Sequence, residues 1–279
     1  MASIPIVAAN ITNFVGEIWS LQIKAAAEST LVCVKLFDHR YQEELKMGDT
    51  LNVPNLANLS ATAVNTEQDW TLYNTVQNTD ALVVNYWYES SVGVSDMHRI
   101  QAVPTTMEAL AEKVGYALGA QMDTNVNALF NEFTQAVGTE ASALTLDDVI
   151  LPAYEYLNAA NAPQNDRFWI VDPESVTDLM KIDAFVKMDY GGEGFKTGFL
   201  GRALLGAPVY MSANLEAINT TYHGACYAQK EAIAIIEQIA PRVEKFPWPQ
   251  RFATVIRGDT CYGVKEMRDT FGVWIKTRS

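Results

Sequence analysis

The sequence predicts an α+β subunit. A long helical stripe runs between Thr105 and Phe133. The stretch from Gly48 to Asp96 carries no helical period at all. Beyond the stripe, helix-like and strand-like runs follow one another in irregular order, the pattern of an α+β chain. With 279 residues, 49 % of them hydrophobic and 19 % charged, the chain can bury a real core, as one large domain or two small ones.

Taken in order, Asn13 can cap a helix to about Ser29, with Phe14, Ile18, Leu21 and Ala25 on one face. Thr30-Leu-Val-Cys-Val-Lys-Leu-Phe37 is rich in β-branched and apolar residues and predicts a strand. From Gly48 to Asp96 Asn and Thr abound, no Lys or Arg occurs, and short alternating pieces appear at Leu51/Val53, Leu59/Ala61/Ala63 and Ala81 to Tyr88. A structureless connection of that length is uncommon in a compact domain, so a long extended hairpin is expected. An isolated hairpin is marginal in water, which calls for a partner surface, another copy of the chain. Trp70, Tyr86, Trp87 and Tyr88 are its expected inter-subunit contacts, since aromatic residues dominate interface energies.

Met107, Leu110, Val114, Leu118, Met122, Val126, Leu129 and Phe133 then recur in steps of three or four, one stripe of a helix. Thr105 with Glu108 forms a capping box after Pro104, and Gly138 marks a stop. Such a rod is about 43 Å long at ~1.5 Å per residue. Gly115 and Gly119 stack one turn apart although interior glycine costs about 1 kcal/mol. That predicts close packing of another backbone across the rod. Thr145 with Asp148 opens a further helix whose buried stripe is Leu146, Val149, Ile150, Ala153, Tyr154 and Leu157, closed by Pro163. Arg167–Val171 reads as a core strand, and Asp172-Pro173 opens a helix through Lys181. Glycine-rich pieces follow at 191–194 and 198–201. Strands are expected at Pro208–Met211 and Ala232–Ile236, then three more from Phe252 to Thr277, separated at Gly258-Asp259 and Thr270-Phe-Gly272.

Composition excludes several functions. A net charge of −13 argues against tight nonspecific nucleic-acid binding, because phosphate affinity comes from Lys and Arg; it permits a protein that encloses nucleic acid. No apolar run reaches the ~18 residues of a membrane span, and no membrane partner is expected. The N-terminus lacks a basic segment and is broken by Pro5, a poor signal peptide. The odd, widely spaced Cys33, Cys226 and Cys261 suit a reduced protein with buried thiols. The segment Asp189 to Thr197 fails the phosphate-loop spacing, since Phe195 separates Gly194 from Lys196. His223 and Cys226 form a candidate nucleophile–base pair without a supporting motif, and two such residues do not make a zinc site. Arg257-Gly-Asp259 reads as a turn between strands. No catalytic residue, cofactor or metal is expected.

Several stretches together carry a resemblance. Gly48-Asp-Thr-Leu-Asn-Val-Pro54 opens an extended loop, and Ala109 to Asp123 lies on the long helix. Arg167-Phe-Trp-Ile-Val-Asp-Pro173 makes a strand-to-helix step. Gly198-Phe-Leu-Gly-Arg-Ala-Leu-Leu-Gly-Ala-Pro-Val-Tyr210 follows, with Ser212 to Leu215. Gly224 to Ala234, Tyr262 to Arg268 and Val273-Trp-Ile-Lys276 complete the series. In this order, from about Thr30 to Lys276, they resemble the major capsid proteins of tailed double-stranded DNA phages, the Hong Kong 97-type fold. The resemblance implies an N-terminal arm over 1–30, a peripheral domain with a spine helix from 31–47, 97–139 and 249–279, an extended loop over 48–96, and an axial domain over 140–248. It further implies a homo-oligomer of hexamers and pentamers closing an icosahedral shell around DNA, without sequence-specific binding. Assembly would take place in the host bacterial cytoplasm, with a portal protein and a decoration protein as further partners. Many relatives begin with a scaffolding segment that is removed; here Met1 leads directly into the arm, so a separate scaffolding protein is expected. The loop holds no lysine after Lys46, so a lysine–asparagine crosslink from it is not expected. A bacterial nanocompartment shell of the same fold and a cytosolic hydrolase using His223 and Cys226 are the alternatives.

Overall fold

A computed structural model describes residues 32–45, 47–56, 61, 63, 77–101, 106–139, 142–182, 203–215, 217–219 and 222–278. In chain order the elements are α1 (Cys33–Leu36), β1 (Thr50–Leu56), β2 (Gln77–Val83), β3 (Tyr86–Ser95), α2 (Asp96–Gln101), α3 (Thr106–Ala128), β4 (Ala136–Val137), α4 (Leu151–Ala159), β5 (Arg167–Val171) and α5 (Pro173–Leu179). Seven strands follow: β6 (Ala203–Leu204), β7 (Ala207–Met211), β8 (Ala217–Asn219), β9 (Tyr222–Gln229), β10 (Ile233–Trp248), β11 (Ala253–Glu266) and β12 (Gly272–Arg278). The expected α+β class holds.

The long helix forms where its stripe demands. Val114, Leu118, Met122 and Val126 are buried along α3, and the rod ends in a 3-10 turn, Leu129–Glu132, that delivers Phe130 and Phe133 to the core. Thr105 and Pro104, the expected start signals, lie outside the described residues. α3 lies along a three-stranded sheet ordered β10-β11-β3. There Met122 faces the Thr260 hydroxyl, and Asn125 donates to the hydroxyls of Tyr262 (2.8 Å) and Tyr88 (3.3 Å). Towards its C-terminus Met122 and Val126 also reach the main core, where Phe130 of the following turn meets Phe37 with ring centroids 5.9 Å apart.

The tight crossing expected at Gly115 lies on the strand side instead. A Cβ added at Gly258 of β11 would stand 2.8 Å from both Val114 Cγ1 and Leu118 Cδ1, and 3.2 Å from the Arg242 carbonyl. At Gly115 an added Cβ would meet only Val243 Cγ2, at an ordinary 3.9 Å. Gly119 is half-buried on the same helix. The two facing glycines therefore respond oppositely to alanine. Gly115→Ala raises stability by up to about 1 kcal/mol through helix propensity. Gly258→Ala lowers it by about 1–3 kcal/mol through overpacking. Thermal melts of the two variants check the opposed signs.

The main core lies around a mixed sheet ordered β4-β12-β9-β5-β7-β6, with β8 beside β9. All of β5 is buried, and Trp169 stacks on Tyr227 of β9 at 3.9 Å between centroids. Arg167 is buried too, yet its donors go to the Pro163 carbonyl (2.8 Å), the Asn158 side chain (2.8 Å) and the Ala162 carbonyl (2.6 Å). A guanidinium thus satisfies two carbonyl groups in the segment after α4. The predicted caps are present: Thr145 accepts from Asp148 N–H before a wide turn, Leu146–Ile150, that runs into α4, and Asp172 accepts from Glu174 and Ser175 N–H at α5.

Three expectations are corrected. The run Thr30–Phe37 does not form a strand where it is described; Cys33–Leu36 is a helical turn, because Asp123 on α3 takes the N–H groups of Cys33 and Val34. Arg257-Gly258-Asp259 is not a turn but the middle of β11, glycine being the residue that fits beneath α3. The strand expected at Ala232–Ile236 continues to Trp248, accommodating Pro241 within register shifts between Glu237 and Arg242. β10 lies with β11 in the sheet under α3, and β12 joins the central sheet between β4 and β9.

Candidate assembly surfaces

Three surfaces offer more than the fold requires. The first is the hairpin. β1 and β2 pair antiparallel from Thr50↔Val83 to Leu56↔Gln77 and form a two-stranded sheet of their own. Among the described residues it is tied down at its base. Leu82 is buried with Leu45, Ala234 and Ile236, and Lys265 Nζ donates to the Ala81 carbonyl at 2.8 Å. Gln238 donates to the Gly48 carbonyl. An added Cβ at Gly263 would land on the Val83 carbonyl, so β11 and the end of β2 are in backbone contact there.

The second surface is the face of the β10-β11-β3 sheet turned away from α3. Alternation along β3 sends Tyr86 and Tyr88 toward the helix side, where Tyr86 stacks on Tyr262 at 5.5 Å and Tyr88 meets it tilted at 6.1 Å. Trp87 points the other way and is 75 % exposed. Register places Cys261 opposite Trp87, and Asp259 opposite Glu89. Asp259 takes a bidentate grip from Arg242 at 2.9 and 3.0 Å, which holds its carboxyl below the usual range. Next to them Arg257 lies 5.6 Å over the Phe246 ring. The Arg-Gly-Asp tripeptide is thus spent inside the subunit.

The third surface is the tip where β10 turns into β11. Phe252 sits in left-handed backbone (φ 46°), 78 % exposed, its carbonyl accepting the Asp96 N–H at 2.8 Å. Met97 and Ile100 of α2 are exposed beside that link. A strained, exposed aromatic costs folding energy without a gain inside the subunit.

Of the contact residues expected from sequence, Trp70 lies outside the described residues, Tyr86 and Tyr88 are half-buried within their own subunit, and Trp87 is largely exposed while its side chain hydrogen-bonds Asp259. Phe252, Met97, Ile100 and Phe246 were missed. The available signal was an apolar residue closing the turn Trp248-Pro-Gln-Arg-Phe252. The hydrolase pair has no support at its nucleophile: Cys226 is wholly buried and desolvation pushes its thiol up, the opposite of an activated cysteine. The His223 side chain lies outside what the structure describes. Among the described residues there is no group of three or more potential metal ligands, and no helix long and apolar enough to cross a membrane.

Comparison with solved structures decides what fold this is. A structure from Mycobacterium phage Che8 matches 94 % of this chain and 97 % of its own, with TM-score 0.78 and 23 % identity. The capsid structure of the cyanophage P-SCSP1u matches 96 % of this chain and 94 % of its own, with TM-score 0.76 and 14 % identity. The fold is that of phage capsid subunits. The capsid of a native GTA particle extends the likeness to 98 % of both chains, with TM-score 0.70 and 13 % identity. No protein-family profile matches the sequence, and neither does any curated protein. The Hong Kong 97-type architecture expected from the order of elements is therefore present across nearly the whole chain.

Proposed function

We propose that this chain is the major capsid protein of a tailed double-stranded DNA phage, assembling as hexamers and pentamers into the icosahedral shell of the virion. The observation that carries the reading is the nearly end-to-end match to capsid structures, 96 % of this chain and 94 % of its neighbour in the cyanophage P-SCSP1u capsid. The hairpin and the tip support it, since both hold apolar or backbone groups in places that benefit only a neighbour. The peripheral domain on this reading holds α3 with β3, β10 and β11; the axial domain holds the central sheet with α4, α5 and β12. A scaffolding protein, a portal protein and a decoration protein are the proposed partners. A net charge of −13 keeps the shell from gripping its DNA, which stays movable.

Trp87 is the proposed contact on the open sheet face. Trp87→Ser leaves the stability of the free subunit within the ~0.5 kcal/mol of an ordinary surface change. It slows or weakens assembly, because a buried interface tryptophan is a typical hot spot. Light scattering during assembly, beside a melt of the free subunit, checks both halves. The functional reading itself is tested by sedimentation velocity of the purified chain. Hexameric, pentameric or larger species support it; a monomer at every concentration rejects it.

A further inference from the structure

Two carboxyl groups meet where the chain leaving α3 docks on the turn between β11 and β12. That turn holds a 3-10 segment, Asp269–Phe271, and is pinned by the Met267 and Arg268 N–H groups, which both donate to the Ala232 carbonyl. Phe271 is buried, and a Cβ added at Gly272 would land on the Phe133 ring. Asp269 Oδ1 accepts the Thr134 N–H at 2.7 Å, two residues past the 3-10 turn that ends the rod. The same carboxyl is in side-chain hydrogen-bond contact with Glu266, the last residue of β11. Ionised carboxylates only accept, so a hydrogen bond between two carboxyl groups requires one proton.

The surroundings of Glu266 favour keeping that proton. The turn after α3 brings Glu132, whose charge opposes ionisation of Glu266, as the charge of Asp269 does. On β11 itself Lys265 favours the ionised form, but its Nζ donates to the Ala81 carbonyl at 2.8 Å. Arg268 is engaged elsewhere, 3.7 Å from Glu231 and 5.0 Å over the Phe271 ring. Glu231, in the short turn before β10, also takes Arg40 at 3.2 Å. Opposite Glu266 in register β10 presents the buried Ile233. Of the other elements packed on this corner, α4 carries the exposed Glu155 and β2 carries Asp80.

We propose that Glu266 and Asp269 share one proton and so clasp the end of the long helix to the β11–β12 turn, a clasp that opens as pH rises. The proton sits on Glu266 and is donated to Asp269, whose Oδ1 holds Thr134. Its loss to solvent breaks one O–H bond, leaves the electron pair on Glu266, and sets two carboxylates against each other with Glu132 nearby. Like charges in hydrogen-bond contact repel. Asp269 carries the Thr134 bond, so the repulsion reaches the chain leaving α3. Burial first, then the charge of Asp269 and its hydrogen bond, push the Glu266 carboxyl up to about 7, above the ~4.3 of an unfolded glutamate. Stability from this group is fully present below that unfolded value and is lost as pH rises through the folded one.

The test is a carbon-13 NMR titration of the Glu266 carboxyl in the full chain, with the Thr134 amide shift followed alongside. Both are expected to move with one midpoint, at about 7. Asp269→Asn keeps an oxygen for Thr134 but removes the charge and the shared proton, so Glu266 is expected to titrate about one unit lower or more. Burial alone predicts an unchanged midpoint. Glu266→Gln gives Asp269 a permanent donor, and the Thr134 amide is expected to stop titrating near neutrality. A wild-type midpoint in the ordinary range around ~4.3 overturns the proposal. So does a midpoint that Asp269→Asn leaves in place, or a Thr134 amide that still titrates in Glu266→Gln. Should Asp269→Asn fail to fold, the wild-type titration and Glu266→Gln remain decisive.

Discussion

Replacing residues 57–76 with a short glycine turn leaves a folded subunit that no longer closes into shells. The cut preserves the entire ladder from Thr50↔Val83 to Leu56↔Gln77, and with it the anchors at Leu82, Ala81 and Gly48. Loop-closure entropy changes by only about 0.6 kcal/mol per doubling of length, so the subunit's own stability hardly moves. Assembly loses whatever the extended loop reaches on a neighbour. The expected variant is soluble, has wild-type circular dichroism, and sediments as subunits or isolated capsomers. Closed shells at wild-type yield would show that the loop is dispensable. An unfolded variant would show that it belongs to the core.

Gly263→Ala has the second largest effect. The added Cβ lands on the Val83 carbonyl and stands 2.9 Å from the Val83 carbonyl carbon and 3.0 Å from Val84 Cα. All three are backbone atoms, so no rotamer change relieves the clash, and the end of β2 must lift off β11. Overpacking typically costs about 1–3 kcal/mol, occasionally more, and the upper part of that range is expected here. The displaced strand also carries the Lys265–Ala81 bond and the buried Leu82. The variant melts several degrees lower and the hairpin base gains hydrogen exchange at Val83 and Val84. A melt unchanged from wild type would contradict backbone contact at this point.

What the sequence made legible follows from how local each cause is. The helix α3 could be read because its stripe, Val114 to Val126, repeats at the helical period and buries against one sheet. The caps at Thr145 and Asp172 act within three residues, and both were visible. The helical turn at Cys33 was not, since the oxygen that fixes it belongs to Asp123, 90 positions away. Gly258-Asp259 has the composition of a turn; only its place beneath Val114 and Leu118 makes it strand. Strand pairing was equally hidden: that β10 lies beside β11, and β12 between β4 and β9, depends on partners far apart in sequence. At the candidate contacts, period-two alternation at Tyr86-Trp87-Tyr88 could have singled out Trp87, because one face of β3 had to meet the helix. The exposed tip at Phe252 depends on a left-handed backbone, and its one sequence signal is an apolar residue closing the turn.

The most direct measurement is a cryo-electron micrograph of the purified chain, assembled alone or with its scaffolding partner. Closed shells are predicted, their walls made of six-fold and five-fold rings of this subunit and each body fitted by α3 across the β10-β11-β3 sheet. Dispersed monomers under every assembly condition, or a closed form without those rings, would contradict the account.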